Sequence, residues 1–453
     1  MRHRPAPPVA SLAVVLALAG AGATFAPAAC AAPGDLDPSF GRGGQMLTDF
    51  DASTDIAHAV ALQADGHVVV GGTTYRGNDF STEDFAIARY RADGTLDPSF
   101  GRKGRVTTDF PGLAAQVSAM VVQPDGKIVV CGGAYPLFAF AGESVLARYN
   151  VDGTLDAGFG NGGIVLVPSF LGHASYASAL ALQPDGKIVT AGTVYTAFDF
   201  DENVSNTDFA IARYNADGTP DASFGHGGQV LTDFGGLSDD ALAVLVQPDG
   251  RIVAVGSALT RATYYDFALA RYTAAGQLDT TFGTGGRVRT DFGQQAFDRA
   301  RAAALQPDGR IVAAGFAISP DGGTENFAVV RYRADGSLDP AFGTGGLRQV
   351  TFGSCCQMAN AVLLQPDGRI VLAGYPDSES SDSDFTLARL MPNGKLDASY
   401  GTGGRVRTSF GDLNGGANAA ALQPDGKVVA VGFQAMNTPK GAQFALARYL
   451  GGP

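Results

Sequence analysis

A chain of 453 residues with 62 glycines, 28 phenylalanines, no tryptophan and a formal charge of -12 has length enough for any core. Nothing in it resembles a long, capped amphipathic helix, so all-β is the expected class. The acidity argues against nucleic acid or an anionic lipid surface as the main partner, because both select basic patches.

Residues 1 to about 32 read as a secretory signal peptide. Arg2 and Arg4 precede an apolar run over 12–25 and a small-residue stretch over 28–32. The run is shorter than the roughly 20 residues a spanning helix needs. No integral membrane span is therefore expected in the mature chain, and the expected setting is secreted, periplasmic or cell envelope. Ala29-Cys30-Ala31 fits a cleavage site; lipidation at Cys30 is the alternative, although Pro27 stands where such sites usually carry Leu.

From residue 36 one pattern recurs. Leu36-Asp37-Pro38-Ser39-Phe40-Gly41 leads through Gly43-Gly44 to an alternating run that closes at Phe50. A small-residue strand over 57–62 follows, then a tight turn, a second strand and the strand Phe85-Ala86-Ile87-Ala88-Arg89-Tyr90. The turn is Pro-Asp-Gly (Ala-Asp-Gly in the first copy), with its aspartate at Asp65, Asp125, Asp185, Asp249, Asp308, Asp367 and Asp425. Such a corner between an apolar and a β-branched run marks a hairpin.

Seven units of about 60 residues, each with four short strands and no helical crossover, predict a seven-bladed β-propeller over 33–453. With the strand before the turn innermost (a), the others are b, c and an outer d. The chain then begins with a d strand and ends with a c strand. The expectation is that the N-terminal strand completes the last blade and closes the ring, which removes free sheet edges.

The recurring Leu-Asp-x-Ser-Phe-Gly, Gln-Pro-Asp-Gly-(Lys/Arg)-Ile-Val and Phe-Ala-Leu-Ala-Arg-Tyr-x-Ala-Asp-Gly motifs resemble the delta-60 repeat of exported bacterial proteins. The resemblance runs from Leu36 to Tyr449. It implies a propeller fold and an extracytoplasmic setting, with no catalytic residues to carry over. Departures are local: Ser144-Val145 for Asp-Phe, Leu390 for Tyr, and Ala275-Gly276 for Asp-Gly.

In a four-stranded meander the a–b and c–d connections share one end of the sheet, and here they repeat almost unchanged. The b–c loops at the other end vary in length and chemistry, which makes that end the expected binding face. The arginine closing each c strand, at Arg89, Arg148, Arg213, Arg271, Arg331, Arg389 and Arg448, is expected to pair with the Leu-Asp or the Pro-Asp-Gly aspartate rather than with a ligand. Gly41-Arg42-Gly43-Gly44 lacks a G-K-[ST] ending and a following helix, so it reads as a turn, not a phosphate loop.

Catalytic patterns are thin. No G-x-S-x-G and no H-E-x-x-H occurs. The candidate binding residues are His58, His173, Asp239, Asp240, Asp298, Arg301, Asn360 and Asn418, all but His173 expected to meet at the channel mouth. Acidic clusters at Asp199, Asp201, Glu202, Asp208 and at Asp377, Glu379, Asp382, Asp384 raise Ca²⁺ as a ligand, without an EF-hand or nonapeptide spacing. No other cofactor is expected. Cys131 continues an apolar strand and reads as a buried small side chain, while Cys355-Cys356 is a vicinal disulfide, a link to another chain or a pair of free thiols.

The functional expectation is a monomeric binding module for a protein or glycan. The alternative is an extracytoplasmic hydrolase or lyase with its site at the central channel.

Overall fold

A computed structural model describes residues 31–50, 54–75, 83–136, 142–167, 169–199, 204–235, 237–260, 264–293, 297–318, 323–353, 356–376, 384–411, 413–436 and 441–452. The expected signal peptide, Cys355 and much of the variable b–c loops lie outside these residues. Residues 32–453 form one compact unit. Among the described residues every regular element is a strand, and no helix is long and apolar enough to cross a membrane.

Strand β1 (Gln45–Thr48) comes first. Four strands then make each sheet, each strand hydrogen-bonded antiparallel to the next: β2–β5 (Thr54–Leu62, Val68–Tyr75, Glu83–Tyr90, Arg105–Thr108) and β6–β9 (Leu113–Val122, Ile128–Pro136, Glu143–Tyr149, Ile164–Val167). The same order continues in β10–β13 (Ala174–Leu182, Ile188–Asp199, Val204–Tyr214, Gln229–Thr232) and β14–β17 (Asp239–Val246, Ile252–Thr260, Tyr264–Tyr272, Arg287–Thr290). It repeats in β18–β21 (Asp298–Leu305, Ile311–Ile318, Glu325–Tyr332, Leu347–Val350) and β22–β25 (Gln357–Leu364, Ile370–Pro376, Phe385–Leu390, Arg405–Thr408). The last strands are β26–β28 (Gly415–Leu422, Val428–Ala435, Ala442–Tyr449).

β28 pairs antiparallel with β1, Gln45 opposite Ala447 and Thr48 opposite Phe444, and Leu36 bridges Tyr449. A single parallel bridge, Thr54 to Ala442, joins this group to β2–β5, so that the hydrogen-bonded set counts eight strands. The all-β, propeller-like repeat of four-stranded sheets is thus the observed architecture.

The second and third strands of each sheet are buried on both faces, as their near-continuous Val, Ile, Ala and Phe runs require. Where the third strand carries a phenylalanine, the phenylalanine after the adjoining outer strand packs on it, as Phe110 does on Phe85, Phe234 on Phe209 and Phe410 on Phe385, with centroids 4.8–4.9 Å apart; in β6–β9 the residue in that register is Ser144. Cys131 is buried in this layer, and burial pushes its thiol up to about 12.

Candidate functional site

Three constellations repeat around the molecule, and each must be sorted as scaffold or site. The first stands at the end carrying the a–b turns. Every c-strand arginine reaches the Leu-Asp aspartate: Arg89 to Asp97, Arg148 to Asp156, Arg213 to Asp221, Arg271 to Asp279, Arg331 to Asp339, Arg389 to Asp397 and Arg448 to Asp37, with Nε–Oδ2 distances of 2.7–2.9 Å. The guanidinium also lies over the adjacent aromatic ring, 4.6 Å from the Phe224 centroid for Arg213, and donates to a carbonyl of the following repeat, as Arg213 does to Ala274 at 2.6 Å.

A second cation converges on the same carboxylate. It is the residue after Pro-Asp-Gly, a position the sequence reading passed over: Lys187 sits 2.9 Å from Asp221, Arg251 3.0 Å from Asp279, and Lys427 3.3 Å from Asp37. The Pro-Asp-Gly aspartate serves its own turn, accepting the backbone N–H two residues on, for example Lys187 N to Asp185 at 3.1 Å. Burial alone would raise Asp37, but hydrogen bonds from Ser39 and the charges of Arg448 and Lys427 outweigh it and bring it down to about 2. These seven clamps are scaffold, with both partners buried and paired.

The second constellation is a cavity of about 480 Å³ lined by β2, β6, β10, β14, β18, β22 and β26. In each of these strands the register slips by one residue, as between Ala57 and Ala59 or between Ala300 and Ala302. The skipped residues are His58, Ser118, Ser178, Leu242, Arg301, Asn360 and Asn418, and all seven line the cavity. A bulge turns one side chain out of the alternation, here toward the common space.

The bulge explains a glycine in every second strand. A Cβ on Gly72 would lie 2.1 Å from the carbonyl oxygen of Ile56, and one on Gly256 would lie 1.8 Å from that of Asp240. Of the expected residues, His58, Arg301, Asn360 and Asn418 therefore come together. Ser118, Ser178 and Leu242 were missed, although the strand-interior glycines opposite them carried the signal.

Three of the four are already engaged. Asn360 donates to the carbonyl of Ala417 at 3.0 Å, and Asn418 to that of Ala57 at 2.9 Å, so both staple one inner strand to the next. Arg301 Nη1 lies 3.4 Å from Asn360 Oδ1. Burial lowers His58 to about 4, leaving a neutral imidazole at pH 7.

The third constellation lies at the other end of the sheets, where one sheet passes to the next. Asp55, Asp239, Asp298 and Gln357 each stand three residues before the bulge. Each accepts the backbone N–H of the phenylalanine that closes the preceding outer strand, at 2.8, 2.7, 2.8 and 2.6 Å for Phe50, Phe234, Phe292 and Phe352. Burial, with repulsion from neighbouring carboxylates, pushes Asp55 up to about 6 and Asp239 and Asp298 up to about 7.

The structure thus does not bring Asp239 and Asp298 to the cavity, because they lie earlier on their strands and cap the incoming loop. Asp240 is likewise elsewhere, paired with Arg299 at 2.7 Å and accepting the hydroxyls of Thr193 and Thr207. His173 follows a turn bridged to Phe170 and partly offsets the burial that raises Asp208. Of the two acidic loop clusters, only the side chains of Asp208 and Asp384 fall within the described residues.

The family comparison matches residues 63–100, 123–159, 183–224, 247–282, 306–342 and 365–400 to "Domain of unknown function (DUF5122) beta-propeller". Each matched segment runs from the a–b turn through the c strand to the clamp aromatic. No curated protein sequence matches the chain.

Among solved structures, the chain is similar to a catalytically inactive virginiamycin B lyase from Staphylococcus aureus with quinupristin, at 10% identity and TM-score 0.47, covering 89% of this chain and 98% of that one. It is also similar to the polysaccharide lyase Uly1, at 11% identity and TM-score 0.49, covering 87% and 89%. A protein of unknown function from Dyadobacter fermentans DSM 18053 is similar at 13% identity and TM-score 0.43, covering 90% and 99%. Likeness at this level concerns the fold alone. Six repeats of this chain belong to the DUF5122 family of beta-propeller repeats.

Proposed function

We propose that residues 32–453 are a closed seven-bladed propeller acting as a secreted or envelope-associated binding module. The strand pairing of β1 with β28 supports closure. So does the last clamp, whose arginine, Arg448, and carboxylate, Asp37, come from opposite ends of the chain. A seventh repeat divided in this way has no continuous segment for a family model to match, which is consistent with six matches. The delta-60 likeness of the motifs fits an exported setting.

The observation that carries the binding reading is the chemistry of the bulge ring. Small apolar residues flank every bulge, yet the seven inward residues differ: two serines, two asparagines, a histidine, an arginine and a leucine. A uniform scaffold does not require such variety, whereas an asymmetric ligand does. Arg301 is the only charged residue lining the cavity among the described residues, which favours a ligand presenting a carboxylate or other acceptor group, on a glycan or a protein.

A hydrolase or lyase reading has weaker support. No carboxylate lines the cavity among the described residues, and an imidazole titrating near 4 is a poor base at neutral pH. The test is a glycan array with the mature chain, followed by calorimetry of any hit on Arg301→Ala. The expected result is at least a tenfold loss of affinity with an unchanged melting temperature. A hit that Arg301→Ala and Ser178→Leu both leave untouched would remove the cavity from the reading.

A further inference from the structure

The capping carboxylates at the sheet junctions are not equivalent. Asp55 is satisfied at both oxygens: Oδ2 takes the N–H of Phe50 and Oδ1 the hydroxyl of Thr74, 2.6 Å away on the paired strand. Thr74 faces Asp55 in register; the residue in that register opposite Asp239 is Ala258, and opposite Asp298 it is Ala317. Neither alanine has a hydroxyl to give. Asp239 is 1% exposed and its Oδ1 is buried with no hydrogen-bond partner.

A buried carboxylate oxygen without a donor is costly unless a cation meets it. The surroundings make the deficit larger. Asp208, from the third strand of the preceding sheet, and Asp233, after its outer strand, each bring one carboxylate oxygen within 4.8 Å of one from Asp239. Oxygen ligands about 2.4 Å from a common ion are at most about 4.8 Å apart, so the three can share one.

A second trio, Asp266, Asp291 and Asp298, has the same layout at the next junction. There Arg289 already sits 2.8 Å from Asp266. The residue that corresponds to Arg289 in the first trio's outer strand is Leu231, which brings no charge.

We propose that Asp208, Asp233 and Asp239 form a divalent-cation site at the junction between β10–β13 and β14–β17, of the hard, all-oxygen kind that suits Ca²⁺. The ion would supply what Thr74 supplies to Asp55 and would tie the third strand of one sheet to the first strand of the next. The site is separate from the cavity and independent of the binding reading.

The experiment is calorimetry and thermal melting of the chelator-treated mature chain with CaCl₂ alone, up to about 10 mM, a range that brackets extracellular calcium modules. The expected result is a single saturable site and a rise of several degrees in melting temperature. Both should disappear in Asp239→Asn, whose amide oxygen can still cap Phe234 as Gln357 caps Phe352. The exposed variant Asp233→Asn should weaken binding at least tenfold without affecting the metal-free melting temperature. It decides the matter if Asp239→Asn fails to fold. Asp298→Asn should leave the titration unchanged. No saturable binding by 10 mM, or binding that Asp233→Asn leaves intact, overturns the proposal.

Discussion

The two ends of the sheets use the same residue type in opposite ways. At the a–b end each Leu-Asp aspartate is met by an arginine, a second cation or imidazole, and in most copies a hydroxyl, as Asp221 is by Arg213, Lys187 and Ser223. Asp37, in the same position, is held at about 2. At the junction end the aspartates are buried more deeply still and have only one or two donors, and Asp55 is pushed up to about 6. Burial is common to both. The number and charge of donors decides whether a buried carboxylate ties the fold together or leaves an unmet demand.

The severest way to break this contrast is to delete residues 36–50, which removes β1 and Asp37 together. Arg448 would be left without its carboxylate, and β28 would present an open edge. The expected result is aggregation or a fall of more than about 10 °C in melting temperature, since several kcal/mol are lost at once. A truncated chain that melts like the parent would end the closed-ring reading.

Removing one interior clamp is the next largest effect. Arg271→Ala leaves Asp279 buried with the half-exposed Arg251 as its remaining cation and Thr281 as its remaining hydrogen-bond donor. Urea unfolding should show a loss of about 3–5 kcal/mol. Arg271→Lys should recover part of this, because the charge returns without the fork geometry or the stacking on Phe282. Equal losses in the two variants would mean that the guanidinium geometry, not its charge, holds the clamp.

The pH dependence sharpens the comparison. Asp37, depressed when folded, contributes stability that is full above about pH 4 and is lost as pH falls toward 2. Asp55 has the opposite sign. Its folded value lies above the unfolded one, so it imposes no cost below about pH 4, and stability declines as pH rises through 6. Urea midpoints measured from pH 3 to 8 should therefore fall on both sides of a maximum near pH 4–5. Asp55→Asn should make the alkaline side shallower and leave the acid side as it is, with Asp239 and Asp298, raised to about 7, carrying the rest of the alkaline decline; an unchanged alkaline limb would show that Asp55 ionises without cost.

The smallest expected effect belongs to the staples. Asn418→Ala removes one donor from the carbonyl of Ala57 and should cost about 1 kcal/mol in the same unfolding assay. A neutral result would make Asn418 available to a ligand instead of to the inner strand.

What was legible in the sequence is what the chain states many times. Strand order and the Pro-Asp-Gly turns are set by local patterns copied along the chain, so local reasoning reached them; for the c-strand arginine it left two carboxylates, and the structure pairs it with the Leu-Asp one. The bulge ring was half legible: His58, Arg301, Asn360 and Asn418 stood out by being polar among alanines, while Ser118, Ser178 and Leu242 did not. The placing of Asp239 and Asp298 was not legible, because a single slipped register moves every earlier residue of the strand to a different neighbour.

By itself, then, the sequence determined the repeat and its four strands, because each depends on residues within one unit, whereas the clamps draw on the next repeat as well. Only the tertiary structure decided which side chains face the cavity and which carboxylates crowd one another between sheets. Asp208 lies on β12, Asp239 on β14 of the next sheet, and Asp233 in the segment just after β13. Their meeting depends on how neighbouring repeats pack, which no single copy of the repeat contains.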